Sequence, residues 1–398
     1  MKMKFSSMTH VLADRMSQLS NETAFEMLAK AKALEAQGRE IIHLEIGEPD
    51  FPIFPNVVEK GVQGLRSGQT KYTPSSGIPE LRQAVADYIG RTRGYTVSPE
   101  EVVMTAGGKP IIFYAIVACV NPGDEVIYPN PGFPIYESVI KFSGGVPVPV
   151  PLREENDFRL DVDELKRLLS PKTKMVILNS PQNPTGGTLT DADLQEIAKV
   201  LAERDNLVIL SDEIYENITY EQPFRSITVY PGMREKTIVL NGFSKTYSMT
   251  GWRAGYGVMP ADMAEEIGKL VVNSTSCLAG FTQLACIEAL TGPQDEIARR
   301  GAEFRKRRDV IVNGLNAIPG VTCRRPAGAF YAFPNISSFG LSSKDMAEYL
   351  LEEAGVASLW GSSFGSYGEG YLRLSYASSL EILKKAVAGM GEALGKLR

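Results

Sequence analysis

Short apolar runs alternate with longer stretches of helical composition through the middle of the chain. Seven of these runs predict β-strands, at Val102–Thr105, Glu125–Tyr128, Val146–Val150, Met175–Asn179, Leu207–Ser211, Thr237–Asn241 and Gly255–Met259. The stretches between and beside them predict helices at Pro110–Val120, Val162–Leu169, Asp191–Arg204 and Asp262–Val272. Strands that alternate with helices over about 200 residues are typical of an α/β fold with a mostly parallel sheet covered by helices.

The two ends of the chain predict a second, smaller unit of α+β type. Its expected elements are a helix at Ala24–Ala36, a strand at Ile41–Ile46, a long helix at Asp295–Asn316 and a closing helix at Leu380–Leu397. A chain of 398 residues fits two domains of about 100–200 residues or somewhat more. We expect residues 1–20 to form an N-terminal arm and residues 50–292 a large domain. Residues 12–48 together with 293–398 would form the small domain.

Composition and charge exclude several classes of protein. There are 42 basic and 47 acidic residues, giving a net charge of −5, and no dense Lys/Arg block, which argues against a nucleic-acid partner. The longest purely apolar run, residues 111–120, is far shorter than the roughly 20 residues that a membrane span needs. The N-terminus lacks the apolar segment of a signal peptide. We therefore expect a cytoplasmic protein without a membrane partner.

Cysteine and histidine usage points away from disulfide, zinc and histidine-based chemistry. The four cysteines are scattered without a Cys-x-x-Cys pair, so they are expected to be small apolar core residues. His10 and His43 are the only histidines, and neither has the spacing of a metal ligand. His43 lies in an apolar run and is expected to pack within a strand. No metal site is predicted, and the chemistry is left to another nucleophile or to a cofactor.

Unusual polar residues follow several predicted strands. In open parallel sheets, ligands bind at the carboxyl ends of the strands. Here Gly108, Asn183, Asp212 and Lys245 each lie at or just beyond such an end. No G-x-G-x-x-G follows the first strand and no G-x-x-x-x-G-K-[ST] occurs, so dinucleotide and P-loop functions lose their main support.

Lys245 lies in the run GFSKTYSMTGWRAG, residues 242–255. Most lysines in such a position are solvated loop residues. This one is surrounded by Gly, Ser and aromatic residues, and Arg253 follows eight residues later. A neighbouring cation and desolvation lower the pKa of a lysine, as Schiff-base chemistry requires. The run resembles the pyridoxal-phosphate attachment signature of class I aminotransferases.

The resemblance extends from Leu12 to about Leu394. NSPQNPTG at residues 179–186 resembles the family's Asn-Pro-Thr-Gly turn, and SDEIY at residues 211–215 resembles its strand-end Asp with a Tyr three residues on. Each is weak alone, but their order upstream of the lysine is that of the family. The chain is similar to bacterial and archaeal aspartate and aromatic aminotransferases. This resemblance implies a fold-type I architecture, with a mostly parallel seven-stranded sheet in the large domain.

The resemblance also implies a role for each residue around pyridoxal 5′-phosphate. Asp212 would keep the pyridine nitrogen protonated, and Asn183 and Tyr215 would bond the phenolic oxygen. Phe133, in PNPGFPIY at residues 129–136, would stack on the ring. The remaining cofactor residues are those expected at the phosphate, namely Gly108, Lys109, Ser244, Arg253 and Tyr72.

Substrate recognition is implied by two further segments. GYLRLSYA at residues 370–377 resembles the segment whose Arg, here Arg373, pairs with the substrate α-carboxylate. Gly47 would let its backbone approach the same carboxylate because it has no Cβ, and Asn183 would also contact the substrate. Tyr72 would reach the phosphate of a neighbouring subunit, so a homodimer with shared active sites is expected.

The implied activity is a two-stage amino-group transfer between a 2-amino acid and a 2-oxo acid such as 2-oxoglutarate. Lys245 would anchor the cofactor and then move the substrate proton. A lyase, decarboxylase or synthase on the same fold is an alternative, since fold does not fix function. A non-catalytic regulator would need a DNA-binding module, and the roughly 20 residues before Ala24 are too few for a domain of about 50 or more.

The range of amino donors depends on two features. Lys109 is at a helix N-terminus beside the expected phosphate and is a candidate partner for a side-chain carboxylate. The segment around Thr23, Ala24 and Phe25 is a candidate apolar wall. A long lysine can swing away from an uncharged side chain at little cost. We therefore expect glutamate to be accepted together with at least one neutral donor, alanine or an aromatic amino acid.

Overall fold

The computed structural model describes residues 12–20 and 23–398. The strands are β1 (Ile42–His43), β2 (Val102–Thr105), β3 (Glu125–Asn130), β4 (Val146–Pro151), β5 (Thr173–Asn179), β6 (Val208–Asp212), β7 (Thr237–Gly242), β8 (Gly255–Val258), β9 (Tyr331–Ala332), β10 (Val356–Ala357), β11 (Leu359–Trp360) and β12 (Leu372–Ser375). The helices are α1 (Thr23–Glu35), α2 (Pro55–Arg66), α3 (Pro79–Arg93), α4 (Lys109–Cys119), α5 (Ile135–Phe142), α6 (Val162–Leu168), α7 (Asp191–Ala202), α8 (Ala261–Ser274), α9 (Gly280–Thr291), α10 (Asp295–Asn316), α11 (Ser343–Ala354) and α12 (Leu380–Gly395).

A seven-stranded sheet in the order β2-β8-β7-β6-β5-β3-β4 forms the centre of the molecule. Only β8 is antiparallel to its neighbours, β2 and β7, and the remaining pairs are parallel. Each of the seven predicted strands is one of these seven, with bounds that differ by at most two residues. The predicted fold class, α/β with a mostly parallel sheet, is confirmed.

Helices cover both faces of this sheet. Neighbouring strand residues point to opposite faces. Val126 accordingly joins a cluster with α4 and α8, whereas Ile127 joins one with α6 and α7. Strands buried on both faces are nearly continuous apolar runs, which is why the sequence pattern located them well.

A second group of elements packs around its own core. β11, β12 and β9 form a three-stranded sheet, and β1 pairs with β10. Buried residues of α1, α10, α11 and α12 surround these strands. Tyr215 and Ile218, which follow β6 of the central sheet, join the same cluster and connect the two parts. The division into domains at residues 50 and 292 stays a prediction.

The predicted strand at residues 41–46 is wrong in length, because β1 contains only Ile42 and His43. Beyond His43 the main chain no longer pairs only with β10, because the oxygen of Leu44 accepts from the N–H of Ser375 on β12 at 2.7 Å. His43 is in the strand but only half-buried, with its ring between Glu45 and Glu35. Expecting it to be a packed residue was therefore partly wrong.

The cysteines and the N-terminal arm also differ from expectation. All four cysteines are free, but only Cys286 and Cys323 are buried, while Cys119 and Cys277 are half-buried. Residues 1–11 of the predicted arm lie outside the described residues. The described part forms a 3₁₀ helix, Asp14–Gln18, against α5, and the N–H of Ser20 donates to Ser138 Oγ at 2.9 Å. In residues 12–20 and 23–398, none of the helices is long and apolar enough to cross a membrane.

Candidate active site

The carboxyl ends of five strands meet at one edge of the central sheet. Because β2, β3, β5, β6 and β7 run in the same direction, the segments that end or follow them share this edge. In that order they carry Gly108, Phe133, Asn183, Asp212 and Lys245. β8 runs the opposite way, so Arg253, two residues before it begins, comes to the same edge. The sheet therefore assembles residues that are up to 145 positions apart in sequence (253 minus 108).

Lys245 lies in the loop after β7 and points its amine at the opposite side of the site. Its Nζ donates to the main-chain oxygen of Gly47 at 2.6 Å and lies 5.8 Å from the ring centroids of Tyr215 and Phe330. Burial, and after it the positive charge of Arg373, lower the pKa of Lys245 to about 8. The predicted direction of this pKa shift is found here, although Arg373 contributes more to it than Arg253 does.

Asp212 is buried at the end of β6. Its Oδ2 accepts a hydrogen bond of 2.6 Å from the hydroxyl of Tyr136, and its Oδ1 accepts from the N–H of Ile214 at 3.3 Å. Desolvation raises the pKa of Asp212 to about 6, and the bond from Tyr136 opposes that rise. A buried carboxylate in this state is stabilised by a cationic partner.

The turn after β2 and the start of α4 form a cradle of anion-binding groups. Gly108 is the N-cap of α4, whose first turn contains no acidic residue. Gly107 has φ of +95°, and a Cβ at this position would collide with the guanidinium of Arg253. Ser244 is buried beside Lys245. Backbone N–H groups at a helix N-terminus combined with an arginine suit a phosphate group.

Phe133 and Lys109 lie together at this edge. The ammonium of Lys109 is 5.6 Å from the ring centroid of Phe133, and that ring packs edge-on against Tyr136. Phe133 is half-buried and Lys109 is exposed. The lysine is therefore beside the ring expected to stack on a cofactor, where a substrate side chain could meet it.

Arg373 and Asn183 are joined by a hydrogen bond. Arg373 is buried on β12, and its Nη1 donates to Asn183 Oδ1 at 3.1 Å. Its Nη2 donates to the main-chain oxygen of Glu45. The segment 45–47 thus holds Arg373 through one carbonyl group and Lys245 through another, two residues further on.

Tyr215 and Gly47 both contact Tyr331, a residue that the sequence did not single out. The Tyr215 and Tyr331 hydroxyls are 2.7 Å apart. A Cβ at Gly47 would collide with the Tyr331 hydroxyl, which is a second reason for glycine beside the predicted approach to a carboxylate. Tyr136 and Glu45 were missed as well. Only Tyr136 had a local signal, being one helical turn beyond Phe133.

Two predicted groups are not brought into the site within this chain. Tyr72 is 90% exposed, and no hydrogen bond of its side chain joins it to the residues at the sheet edge. Phe25 is 64% exposed on α1 rather than packed as an apolar wall. Both roles stay predictions.

The described residues fit pyridoxal phosphate by their chemistry. The cradle at the N-terminus of α4 offers donors to a phosphate, and Arg253 beside it is held by a 2.8 Å bond from its Nη1 to the main-chain oxygen of Thr250. Asp212 is a buried acid, and Lys245, which is close enough to sense the charges of both Arg253 and Asp212, carries an amine of lowered pKa. Pyridoxal phosphate has a partner for each of these groups: a phosphate for the cradle and Arg253, a cationic ring nitrogen for Asp212, and an aldehyde for the amine of Lys245.

Comparisons with known proteins show the family of the chain. A family model described as aminotransferase class I and II matches residues 39–389. An aspartate aminotransferase of Pyrococcus horikoshii is 40% identical over 390 residues, covering 97% of each chain. Aromatic-amino-acid aminotransferase 2 of Thermococcus litoralis is 39% identical over 96% of this chain and 98% of its own. The solved alanine aminotransferase from Pyrococcus furiosus has a TM-score of 0.91 at 32% identity, covering 97% of this chain and all of that one.

The chain therefore belongs to the class I and II aminotransferase family. It is a pyridoxal-phosphate-dependent transaminase with the fold-type I architecture. The predicted family, cofactor and reaction class are confirmed, and the alternative of a lyase or synthase is not favoured.

Proposed function

We propose that the residues at the sheet edge take the roles that the family resemblance implies, and that the enzyme accepts both acidic and neutral amino donors. Arg373 and Asn183 would hold the substrate carboxylate. Asp212, Tyr215 and Asn183 would surround the cofactor ring, and Gly108, Ser244 and Arg253 its phosphate. Pyridoxal phosphate, when bound, supplies an aldehyde that takes up the amino group and a ring that stores electrons.

The observation that supports this assignment best is the spacing of Lys245 and Arg373. They bond the main-chain oxygens of Gly47 and Glu45, residues two apart in the chain. Two residues of main chain span at most about 7 Å. The two cationic groups are therefore held close enough together to face a single amino acid. A carboxylate held by Arg373 would place the adjacent Cα hydrogen near Lys245.

The lowered pKa of Lys245 suits it to a proton-transfer role. A general base works best when its pKa is near the working pH. With a pKa of about 8, roughly a tenth of the amine is neutral at pH 7, far more than for an ordinary lysine, and this neutral form can accept the Cα proton. Once protonated, it can return the proton to a second atom within reach. The main-chain oxygen of Gly47 fixes the position of this amine by accepting its hydrogen bond.

The proposal on donors rests on Lys109 and on the names of the relatives. These include aspartate, aromatic-amino-acid and alanine aminotransferases, so related proteins are named for both acidic and neutral donors. Lys109 is exposed beside Phe133 and can meet a side-chain carboxylate or turn to solvent. Glutamate plus alanine or an aromatic amino acid, with 2-oxoglutarate as acceptor, is the expected set.

The donor set can be tested with a substrate panel. kcat/KM would be measured for glutamate, aspartate, alanine and phenylalanine, in wild type and in Lys109→Gln. We expect glutamate and at least one neutral donor to react, and the variant to lose activity toward the acidic donors selectively. Activity confined to one donor, with the others a thousandfold slower or worse, would contradict the proposal. Equal loss on all donors would place Lys109 at the phosphate instead.

We also propose a homodimer in which Tyr72 of each subunit completes the neighbouring phosphate site. Tyr72 projects almost fully from the chain, and Leu65 and Val272 also expose about half of their surface. A large exposed tyrosine has an apolar body that gains by burial against another subunit. Closure of the small domain over the substrate, with the predicted boundaries, would then complete each site.

A further inference from the structure

Tyr331 is a fully buried residue at the start of β9 that no sequence motif pointed to. It pairs with Ser375 of β12, which fixes its backbone beside the strand that carries Arg373. Its side chain reaches out of the small sheet toward the sheet edge described above. Three of the proposed site residues touch it.

The first contact is between hydroxyl groups. The oxygen atoms of Tyr331 and Tyr215 are 2.7 Å apart, and the two rings meet edge-on at a centroid distance of 5.7 Å. Each hydroxyl has a single proton to give. If Tyr331 donates to Tyr215, the proton of Tyr215 is left for another acceptor. Chained hydroxyls also polarise one another, so Tyr215 becomes the stronger donor.

The second contact is with the arginine. The guanidinium carbon of Arg373 lies 4.5 Å from the ring centroid of Tyr331, and Phe364 lies 5.0 Å away from the same carbon. A guanidinium over an aromatic face is attracted by the ring, more strongly where water is excluded. The stacking fixes the plane of the Arg373 guanidinium, which binds a carboxylate through two parallel N–H groups.

The third contact is with Gly47, the residue that receives the Lys245 amine. The Tyr331 hydroxyl occupies the place where a Cβ of residue 47 would stand. Tyr331 therefore packs against the segment that holds Lys245 and Arg373 through its carbonyl groups.

We propose that Tyr331 is a positioning residue with two separable functions: its hydroxyl directs the proton of Tyr215 to the cofactor's ring oxygen, and its ring supports the carboxylate-binding face of Arg373. The inference rests on the proposed roles of Tyr215 and Arg373. Because one function belongs to the oxygen atom and the other to the ring, two substitutions can separate them.

Tyr331→Phe removes only the hydroxyl. The absorbance of the bound cofactor would be titrated against pH, since a bond from Tyr215 favours the ionised ring oxygen. We expect the midpoint to rise by a few tenths of a pH unit, because Tyr215 keeps its own bond and loses only the polarisation that Tyr331 supplies. The dissociation constant for succinate, a dicarboxylate that cannot enter the reaction, should stay within about twofold because the ring is kept.

Tyr331→Leu removes the ring as well. We expect the same shift of the midpoint, and in addition about tenfold weaker succinate binding by calorimetry, from the lost support of Arg373. KM for amino acids should rise in this variant but not in Tyr331→Phe, in which kcat alone falls.

Tyr376→Phe is the matched control. Tyr376 is also fully buried, directly after β12, but its hydroxyl bonds the Tyr220 hydroxyl at 3.0 Å and the main-chain oxygen of Ala329 at 3.1 Å rather than a proposed site residue. It should leave the midpoint and the succinate affinity unchanged even if it lowers thermal stability. If it shifts either quantity as much as the Tyr331 variants do, general loosening explains the result and the proposal falls.

Two further variants separate failure of this inference from failure of the assignments beneath it. Tyr215→Phe should shift the midpoint at least as far as Tyr331→Phe, and Arg373→Lys should weaken succinate binding. If both do so while the Tyr331 variants behave as wild type, Tyr331 has no positioning role. If Tyr215→Phe and Arg373→Lys change nothing, the proposed roles of those residues are wrong, and the inference falls with them.

Discussion

Lys245 has a pKa of about 8 in the cofactor-free chain, against an ordinary value of 10.5, because it is buried near Arg373. Only the neutral amine can attack the aldehyde of pyridoxal phosphate. The rate of cofactor attachment to the apoprotein should therefore rise with pH and level off just above 8. Stopped-flow absorbance would measure it, with a free lysine analogue as control. A rate that climbs to pH 10 like that of the analogue would contradict the lowered pKa.

Asp212 depends on Tyr136 for part of its acidity. Burial raises the pKa of Asp212, and the Tyr136 hydroxyl lowers it by donating to the charged form. Tyr136→Phe should therefore raise the pKa further, so Asp212 loses its charge earlier as pH falls. The acid limb of the kcat profile is expected to move to higher pH. Asp212→Asn, which has no such charge, should lower kcat by about 100-fold or more at every pH. An unshifted acid limb in Tyr136→Phe would rule out this coupling.

Local sequence could predict Lys245, Asp212 and Arg373 because each lies in a continuous run with a recognisable chemical pattern. Tyr331 and Glu45 have no such run. Their importance comes from β9 and the 44–47 segment approaching across the molecule, which only the tertiary structure fixes. For Gly47 the sequence predicted that the missing Cβ lets the backbone approach a substrate carboxylate, whereas only the structure shows that Tyr331 also requires the missing Cβ.

The β2–α4 turn provides a test at the level of an element. Gly107→Ala would strain a backbone with φ of +95° and push a methyl group into Arg253. Gly94→Ala is the control, since Gly94 has φ of +80° at the C-cap of α3 but open space around its Cβ position. Both should lose about 1 kcal/mol or more of unfolding free energy from strain. Only Gly107→Ala should also weaken pyridoxal-phosphate affinity, measured by fluorescence titration. Equal affinities would remove the turn from the phosphate site.

The predicted elements succeed where burial is simple and fail where helices pack closely. The seven central strands were located because their apolar runs end in Gly or polar residues. Helices α2, α3, α5, α9 and α11 were not predicted. In α2, Gly61 and Gly64 lower helix propensity, yet they let α2 approach Trp252 and α9. The sequence of α9 lacks a one-sided apolar stripe, because the helix is buried on most sides.

The whole molecule is expected to be active only as a dimer. Mixing Tyr72→Phe with Lys245→Ala subunits should restore some activity, because a hybrid dimer has one site with both native residues. Each variant alone should be nearly inactive, or strongly weakened in cofactor binding for Tyr72→Phe. The hybrid would be measured after subunit exchange, at protein concentrations where sedimentation shows dimers.

Lys109→Gln mixed with Lys245→Ala is the control for this experiment. If Lys109 acts within its own subunit, the hybrid site with native Lys245 still carries the Gln substitution, so the Lys109 defect is not rescued. Rescue of the Lys109 defect in this hybrid would show that Lys109 acts across the interface. No rescue in the Tyr72 hybrid would show that Tyr72 does not. A fully active monomer in sedimentation would end the shared-site proposal.

The central claim is that this chain transfers amino groups through a cofactor held by Lys245. The most direct measurement is the half-reaction: glutamate is added to the purified holoenzyme without an acceptor, and absorbance and 2-oxoglutarate are followed together. We expect the cofactor to change to its aminated form with one 2-oxoglutarate released per site. Lys245→Ala with bound cofactor should do so at least about 1,000-fold more slowly, since it lacks the base. Wild type that yields no 2-oxoglutarate with any donor, or Lys245→Ala that turns over within tenfold of it, would contradict the account.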